Sequence, residues 1–326
     1  MIIEVKAAGI CGADRKHFRI ENGSSRFNHI RGHEFSGVIV KTGRNVTEWK
    51  AGTRIVSDNT GYVCGVCPAC ENGDFLLCPS RKNLGTGLDG AFAKYVKIPG
   101  EILKIHRRAI WEIPKGVSFE EAAILDPICN AYKAIAQKSH LLPGQNVVVY
   151  GMGPLGMASI QIAKLMGAVN ILAVGRKGDE KVRLKIARET GMTHFIDSSS
   201  EDPVEKARQI CGPNGCGLIV DCVGSGPVLR QGLEVLRPNG EFVRVGTRLD
   251  PLDFSINEIS NREITIQGHM GYDTESWRNC LALLSSGKLN ARALITHKLP
   301  LSQWEKGFEL MEAKEAVKVI LTYDGD

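Results

Sequence analysis

The sequence predicts an α/β protein of two domains, one rich in β-strands and one built on a doubly wound parallel sheet. Three observations support this fold class: short strands broken by glycine turns in the first hundred residues, four cysteines crowded into residues 64–78, and a strand–helix repeat that begins near Asn146. A chain of 326 residues is long enough to give each domain its own hydrophobic core.

The first hundred residues alternate apolar and polar side chains in short runs, which is typical of strands with one buried face. The runs predict strands at Ile2–Ala7, Ser36–Lys41, Thr53–Ser57 and Ala91–Ile98. The serine and the two glutamates within residues 118–121 form a helix-start signal, so we expect a helix over residues 118–137. Asp126-Pro127 should interrupt this helix, because proline lacks a backbone N–H and clashes with the preceding turn.

Four cysteines, Cys64, Cys67, Cys70 and Cys78, lie close together, with two residues between each of the first three. Two-residue gaps let neighbouring thiolates converge on one tetrahedral ion, and Zn²⁺ held by four thiolates forms a closed structural site. The surrounding residues 61–80 are rich in glycine and proline and have too few apolar side chains for a core of their own. The alternative is a group of buried or disulfide-paired cysteines.

From Asn146 onward, buried apolar runs alternate with helical periodicity, which predicts a Rossmann-type parallel sheet. The predicted strands are Val147–Tyr150, Ile171–Val174, His194–Ile196, Leu218–Val223, Glu241–Val245 and Ile264–Gln267. The predicted helices between them cover residues 154–167, 180–190, 203–211 and 226–237. The tail adds helices at Ser276–Ser285 and Ser302–Glu312 and strands at Ile295–Leu299 and Ala316–Thr322.

The loop after the first of these strands has the pattern Gly-x-Gly-x-x-Gly and opens a helix. In that context, the first glycine makes the tight turn, the second lets the backbone approach a pyrophosphate, and the third packs the helix on the strand. The helix N-terminus supplies N–H groups and a positive dipole for the phosphates. We therefore predict that a dinucleotide contacts Gly151, Gly153, Pro154, Leu155 and Gly156. The alternative is a glycine turn without a ligand.

The end of the second strand of this repeat predicts which dinucleotide binds. An acidic residue there would bond the ribose of NAD, but the sequence has Arg176 and Lys177 after a glycine. Cations pair with a 2′-phosphate, so NADP is favoured over NAD. The alternative is that Asp179 or Glu180 folds back onto a ribose.

Composition and charge argue against nucleic-acid and membrane partners and are compatible with a small acidic ligand. The net charge is +5, and the basic residues are spread along the chain without a basic stripe, so no nucleic-acid partner is predicted. No apolar run approaches the roughly 20 residues of a membrane span, and the first ten residues lack the layout of a signal peptide. Apart from the four clustered cysteines, six are scattered, which is typical of a reducing compartment, and we predict a cytoplasmic protein with no membrane partner.

Two further motifs complete the pattern: AGICGAD at residues 8–14 and GHEFSGV at residues 32–38. Together with the cysteine cluster and the glycine loop, they resemble the zinc-containing medium-chain alcohol and polyol dehydrogenases. The resemblance extends through VSFEEAA at residues 117–123 to ALITHKLP at residues 293–300. The stretch ILDPICNA at residues 124–131 is most similar to the threonine 3-dehydrogenase branch, with sorbitol and other polyol dehydrogenases next.

The resemblance implies a second, catalytic zinc, and hence two zinc ions per chain. Its ligands would be Cys11 and His33, with Glu34 as the third ligand or a close exchange partner and Asp126 beside the metal. A thiolate, an imidazole and a carboxylate leave an open position for a substrate oxygen, whose developing charge the ion stabilises while hydride leaves the carbon. The alternative is that Asp126 has no role at the metal and only forms a helix-breaking Asp-Pro turn.

The resemblance also implies a domain arrangement and a reaction. Residues 1–127 and 271–326 would form a GroES-like catalytic domain that carries the cysteine lobe, residues 61–80, and residues 128–270 would form the Rossmann domain. The expected reaction passes hydride between NADP(H) or NAD(H) and the secondary alcohol of a polyol, sugar or amino alcohol. The expected assembly is a homotetramer or homodimer.

The chain departs from the family pattern at three places. Family members usually have a serine or threonine where this chain has Ala13, and a histidine where it has Lys16, with His17 one residue later. Residues 98–108 resemble a local insertion, which we interpret as a surface loop whose His106 is not a ligand. Ala13, together with a start later than is usual in the family, motivates a second hypothesis: a catalytically silent NADP(H)-binding or redox-sensing protein on the same scaffold.

Overall fold

The computed structural model of the protein describes residues 1–14, 29–248, 250 and 254–323. Lys16 and His17 lie outside the described residues. The chain divides into two compact units: unit 1 comprises Met1–Asp126 and Asp273–Asp326, and unit 2 comprises Pro127–Tyr272. None of the described helices is long and apolar enough to cross a membrane.

The first part of unit 1 is dominated by short strands, as the alternating pattern predicts. The strands are β1 (Ile2–Gly9), β2 (Glu34–Lys41), β3 (Arg54–Ser57), β4 (Thr60–Tyr62), β5 (Lys82–Asn83), β6 (Tyr95–Lys97) and β7 (Ile110–Glu112). The helices are α1 (Pro68–Glu71), α2 (Ile102–Ile105), α3 (Phe119–Ala123) and α4 (Leu125–Tyr132). This part of unit 1 ends at Asp126, in the first turn of α4. The strand predicted at Ala91–Ile98 is shorter than expected, since only β6 is formed there.

The predicted position of the helix break was wrong by two residues. Ser118 caps α3 in a reciprocal arrangement with Glu121, as the sequence signal indicates. The break then falls at Ile124, and Asp126-Pro127 lies inside the first turn of α4. Proline is tolerated there because the first N–H groups of a helix have no partner within the helix.

The interpretation of residues 98–108 as a surface loop was also wrong. Ile98 and Ile102 are buried in the core of unit 1, and α2 forms within this segment. His106 is only 3% exposed; its Nε2 lies 2.6 Å from Asp58 Oδ2 and its ring stacks on Phe75 at 4.2 Å. The apolar residues of this segment therefore lie on the side of a short helix that packs against the core.

Unit 2 has the predicted doubly wound sheet. Its strands are β8 (Val147–Tyr150), β9 (Ile171–Gly175), β10 (His194–Asp197), β11 (Cys216–Asp221), β12 (Leu236–Arg244) and β13 (Thr265–Gly268). Its helices beyond α4 are α5 (Pro154–Leu165), α6 (Arg183–Thr190), α7 (Pro203–Cys211), α8 (Gly226–Val235) and α9 (Ile256–Ser260). The strand order is β10-β9-β8-β11-β12-β13 and every pairing is parallel, which is the Rossmann order.

The tail returns to unit 1 and completes its main sheet. It contains α10 (Thr274–Ser285), β14 (Ile295–Pro300), α11 (Trp304–Glu312) and β15 (Lys318–Thr322). The sheet runs β14-β15-β1-β2-β3-β7 among the described residues, with β6 also paired to β1. Because β15 lies beside β1, the last strand of the chain borders the ends of β1 and β2, where two of the sequence motifs are found.

Candidate active site

The antiparallel pairing of β1 and β2 brings Cys11, His33 and Glu34 together. Gly9, at the end of β1, is the register partner of Glu34, at the start of β2. Cys11 lies two residues after the end of β1 and His33 directly precedes β2, so both lie at this corner of the sheet. One ligand atom from each of the three side chains lies within 4.8 Å of the others, close enough for one metal ion.

Close backbone packing holds the His33 corner in place. Residues 30–32 bond the backbone of the loop that follows β5: the N–H of Gly90 donates to the carbonyl of Ile30 at 2.8 Å, and the N–H of Ala91 donates to that of Gly32 at 2.8 Å. A Cβ on Gly90 would lie 2.4 Å from the Gly32 oxygen and 2.6 Å from the Gly85 Cα. This contact was missed in the sequence, where these glycines look like ordinary turn residues.

Asp14 orients His33. Its Oδ1 lies 3.4 Å from His33 Nδ1, and its Oδ2 accepts from the N–H of Cys11 at 3.1 Å. Burial opposes ionisation of Asp14, but the hydrogen bond and charge of His33 outweigh it and lower the pKa of Asp14. Burial likewise disfavours a charged His33, yet Cys11 and Asp14 raise its pKa well above the usual value. The charges of Asp14 and His33 therefore stabilise each other.

Lys318 is the buried counter-ion of Glu34. Its Nζ lies 2.7 Å from Oε1 and 2.5 Å from Oε2 of Glu34, and it also donates to the Ile10 carbonyl at 3.0 Å. Both side chains are only 1% exposed. Burial alone would lower the pKa of Lys318, but Glu34 and Cys11 raise it. The ammonium group neutralises a carboxylate that is otherwise costly to bury. No sequence pattern singles out Lys318, since its partner lies in a distant segment of the chain.

Asp126 lies near the same corner. Its Oδ2 accepts a hydrogen bond from Asn59 Nδ2 at 2.9 Å. Burial raises the pKa of Glu34 against the attraction of Lys318, and the negative charge of Asp126 adds to the rise. The structure therefore places Asp126 within electrostatic range of Glu34.

The four clustered cysteines converge as their spacing predicts. Their sulfur atoms all lie within 4.8 Å of one another; Cys64 Sγ is 3.9 Å from Cys70 Sγ and 3.7 Å from Cys78 Sγ. A tetrahedral zinc site with Zn–S bonds of about 2.3 Å has S···S edges of about 3.8 Å, whereas a disulfide needs about 2 Å. The backbone N–H of Val66 is the main cause that lowers the pKa of Cys64 to about 6, while burial raises the pKa of Cys70 to about 12. The distances fit a metal site and exclude disulfides.

The glycine loop of unit 2 has the conformation that pyrophosphate binding needs. Gly151 has a φ of +101°, which disfavours a side chain, and a Cβ on Gly156 would lie 1.9 Å from the Gly151 oxygen. A Cβ on Gly153 would meet nothing within 4 Å, so that face of the loop is open to a ligand. Gly153 is the N-cap of α5, and Pro154 and Leu155 form the first turn of that helix.

The loop after β9 leaves Arg176 and Lys177 exposed and removes the competing acid. Asp179 is 3% exposed; its Oδ2 accepts from the Arg176 N–H at 2.9 Å and its Oδ1 lies 2.9 Å from Arg183 Nη1. The Glu180 carboxylate accepts from the Gly178 N–H at 2.6 Å. The two acidic side chains that could have bonded a ribose therefore accept hydrogen bonds from backbone N–H groups of their own loop.

Comparisons with known proteins agree over the whole chain. Residues 1–107 match the alcohol dehydrogenase GroES-like domain and residues 154–286 match the zinc-binding dehydrogenase family. The chain is 56% identical to the uncharacterized zinc-type alcohol dehydrogenase-like protein YdjL of Escherichia coli (strain K12), over 100% of this chain and 92% of YdjL. It is 35% identical to sorbitol dehydrogenase of Halalkalibacterium halodurans, over 98% of this chain and 90% of that enzyme.

A solved structure agrees with these relatives. A zinc-binding dehydrogenase of Sinorhizobium meliloti 1021, bound to NADP, superposes with a TM-score of 0.87 at 27% identity, over 99% of this chain and 91% of the other. The GroES-like and Rossmann fold class is therefore confirmed. The roles of individual site residues stay predictions. From both its motifs and its relatives, the chain belongs to the zinc-containing medium-chain alcohol and polyol dehydrogenases.

Proposed function

We propose that this protein is a zinc-dependent oxidoreductase that transfers hydride between NADP(H) and a secondary alcohol or ketone of a polyol, sugar or amino alcohol. The observation that carries the proposal is the convergence of the Cys11, His33 and Glu34 ligand atoms within 4.8 Å at one corner of the unit 1 sheet. Family membership supports the reaction class.

The donor set fits a catalytic zinc. A thiolate, an imidazole and a carboxylate are ligands that Zn²⁺ accepts, and three protein ligands leave a fourth position for substrate. Bound there, zinc supplies Lewis-acid stabilisation of the negative charge that develops on the alcohol oxygen. The donor set of the cysteine lobe fits a second, structural zinc, which would give two per chain.

The residues around the site prepare it for that role. Asp14 Oδ1 lies 3.4 Å from His33 Nδ1, and this contact would orient the ring and leave Nε2 available to the metal. Lys318 contacts both oxygens of the buried Glu34 carboxylate, and its charge opposes the rise in the pKa of Glu34 that burial causes. Asp126 adds a second carboxylate at the edge of the site, where it would tune or transiently ligate the metal.

The preference for NADP over NAD rests on the β9 loop. Arg176 and Lys177 are exposed at the end of β9, and the neighbouring acids Asp179 and Glu180 are engaged within the loop. A 2′-phosphate would find cations there, whereas the 2′-hydroxyl of NAD would lack an acidic partner.

Assembly and compartment are part of the proposal. We expect a homotetramer or homodimer, in line with the family resemblance. Apart from the four clustered cysteines, the six others are scattered without a pairable spacing, and this supports a reducing compartment such as the cytoplasm.

The decisive experiment measures metal content by mass spectrometry together with NADP⁺ reduction across polyols, sugars and amino alcohols. Two zinc ions per chain and reduction of NADP⁺ by at least one alcohol are expected. One zinc ion per chain, with NADPH bound but never turned over, would overturn the proposal. That result would favour the silent cofactor binder, for which Ala13 in place of a hydroxyl residue is the specific motivation.

A further inference from the structure

Asn59 has an unusual backbone conformation at the edge of the candidate active site. Its φ is +57°, in the left-handed region that disfavours most side chains but tolerates asparagine. Its N–H donates to Ser57 Oγ at 3.1 Å and its carbonyl accepts from the Leu84 N–H at 2.8 Å. The residue is 5% exposed. Both backbone bonds hold it in a conformation that it would otherwise rarely adopt.

The side-chain amide of Asn59 forms hydrogen bonds to two different side chains, one through its nitrogen and one through its oxygen. Nδ2 donates to Asp126 Oδ2 at 2.9 Å, and Oδ1 accepts from Arg81 Nη2 at 2.9 Å. An amide is a donor at one end and an acceptor at the other, so it can join a carboxylate to a guanidinium in fixed geometry. The hydrogen bond from Asn59 therefore restrains one oxygen of Asp126.

Arg81 anchors this connection to the cysteine lobe. Its N–H donates to the Cys78 carbonyl at 3.1 Å, and its guanidinium also donates to Thr60 Oγ1 at 3.3 Å. Cys78 is the last of the four clustered cysteines. The position of Arg81 thus depends on the turn that closes the lobe.

A second connection runs from the lobe to the residue before Asn59. Phe75 of the lobe stacks on the His106 ring at 4.2 Å, and His106 Nε2 lies 2.6 Å from Asp58 Oδ2. The other oxygen, Asp58 Oδ1, accepts from the Thr60 N–H at 2.9 Å. Asn59 is therefore fixed on both sides by groups that pack on the lobe.

We propose that Asn59 is a positioning residue that orients the Asp126 carboxylate toward the candidate metal site, with the cysteine lobe as its anchor through Arg81. In this arrangement the structural metal centre supports the reaction as well as the fold. The proposal rests on the function proposed above, since Asp126 matters only if that corner is the reaction site.

The test variant is Asn59→Gly, because glycine accepts a positive φ and only the amide is lost. The matched control is Asn239→Gly, which replaces another left-handed asparagine (φ +58°) that is exposed in unit 2. Loss of an outer partner of a metal site typically lowers activity about 10- to 100-fold. We expect a loss of that size in kcat/KM for the alcohol, mainly in kcat, with the Kd for NADPH unchanged, and a change of less than about twofold for the control.

A double-mutant cycle separates positioning from a general structural role. In an Asp126→Asn background, Asn59→Gly should change kcat/KM less than about twofold, because the carboxylate that it orients is gone. Arg81→Met should reproduce part of the loss with Asn59 intact. Equal losses from Asn59→Gly in both backgrounds, or an equal loss from Asn239→Gly, would overturn the proposal.

A crystal structure of Asn59→Gly provides a readout that does not depend on turnover. We expect the Asp126 carboxylate to rotate away from its wild-type position while the four cysteines keep theirs. An unmoved Asp126 would overturn the positioning role even if the enzyme is active. Absence of turnover in the wild-type protein would instead overturn the proposed function, and the crystallographic result would still decide the role of Asn59.

Discussion

The two candidate metal centres of unit 1 are built in opposite ways. The cysteine lobe takes all four ligands from residues 64–78, so its metal organises a short segment with little core of its own. The Cys11–His33–Glu34 centre takes its ligands from the ends of two strands and depends on a lysine from the last strand of the chain. A local, uniform ligand set suits a closed structural ion, and a mixed set held by distant groups leaves room for substrate.

The largest effect is expected at the four-cysteine site, which we call the closed centre; the Cys11–His33–Glu34 site is the open centre. Cys67→Ser removes one of four thiolates, and since zinc binding to such sites is worth about 10–16 kcal/mol, the lobe should lose its metal and its fold. Zinc content and thermal unfolding measure this. Cys280→Ser, at a buried cysteine outside both clusters, is the control and should keep both zinc ions. A stable Cys67→Ser protein with full zinc content would contradict the structural role.

Removal of a ligand from the open centre should affect catalysis and leave the fold largely intact. Cys11→Ala is expected to lower kcat/KM about 1000-fold or more, because the Lewis acid supplies several kcal/mol of transition-state stabilisation. The Kd for NADPH, measured by fluorescence titration, should stay within about twofold. If cofactor affinity falls as much as turnover does, the assignment of Cys11 as a metal ligand is wrong.

Lys318→Met tests whether the open centre depends on its buried counter-ion. Loss of one partner of a buried ion pair typically costs about 3–5 kcal/mol, since the remaining charge has no compensation. The free energy of unfolding in urea should fall by about that amount. The double variant Glu34→Gln/Lys318→Met should recover much of the loss, because it leaves no buried charge. If the double variant is as unstable as Lys318→Met alone, the packing of Lys318 matters more than its charge.

Arg176→Asp has the smallest expected effect and tests the cofactor loop of unit 2. Replacing a cation by an acid should lower the NADP/NAD ratio of kcat/KM by about 10-fold or more, since a hydrogen bond to a charged group is worth about 1.5–3 kcal/mol. Lys185→Asp makes the same change of charge on α6 and should leave the ratio unaltered. An unchanged ratio in Arg176→Asp would mean that the loop does not select the cofactor.

The comparison also shows what could be predicted from sequence. Local signals were sufficient for the cysteine lobe and for the strand–helix repeat of unit 2, whose observed elements begin and end within a few residues of the predicted ones. Cys11, His33 and Glu34 were found because they lie in motifs of a known family. These signals operate over a few residues or a familiar pattern, so they transfer directly from sequence to structure.

The residues that support the open centre could not be predicted, because their partners are distant in the chain. Lys318 bonds a carboxylate 284 positions earlier, and Asn59 bonds one 67 positions later. Asp14 is the last residue of the AGICGAD motif, but only the strand pairing shows that it lies close to His33. His106 was assigned to a surface loop because periodicity over a few residues does not reveal a tertiary contact with Phe75.

The contact between Gly32, Gly85 and Gly90 has a consequence for attempts to change the specificity of this enzyme. Side chains can change rotamer to admit a mutation, but here backbone touches backbone, and a methyl group at Gly90 would lie 2.4 Å from the Gly32 oxygen. A larger residue there must shift the strand entry that carries His33. Mutant libraries aimed at new alcohols should therefore keep these three glycines and place their diversity elsewhere.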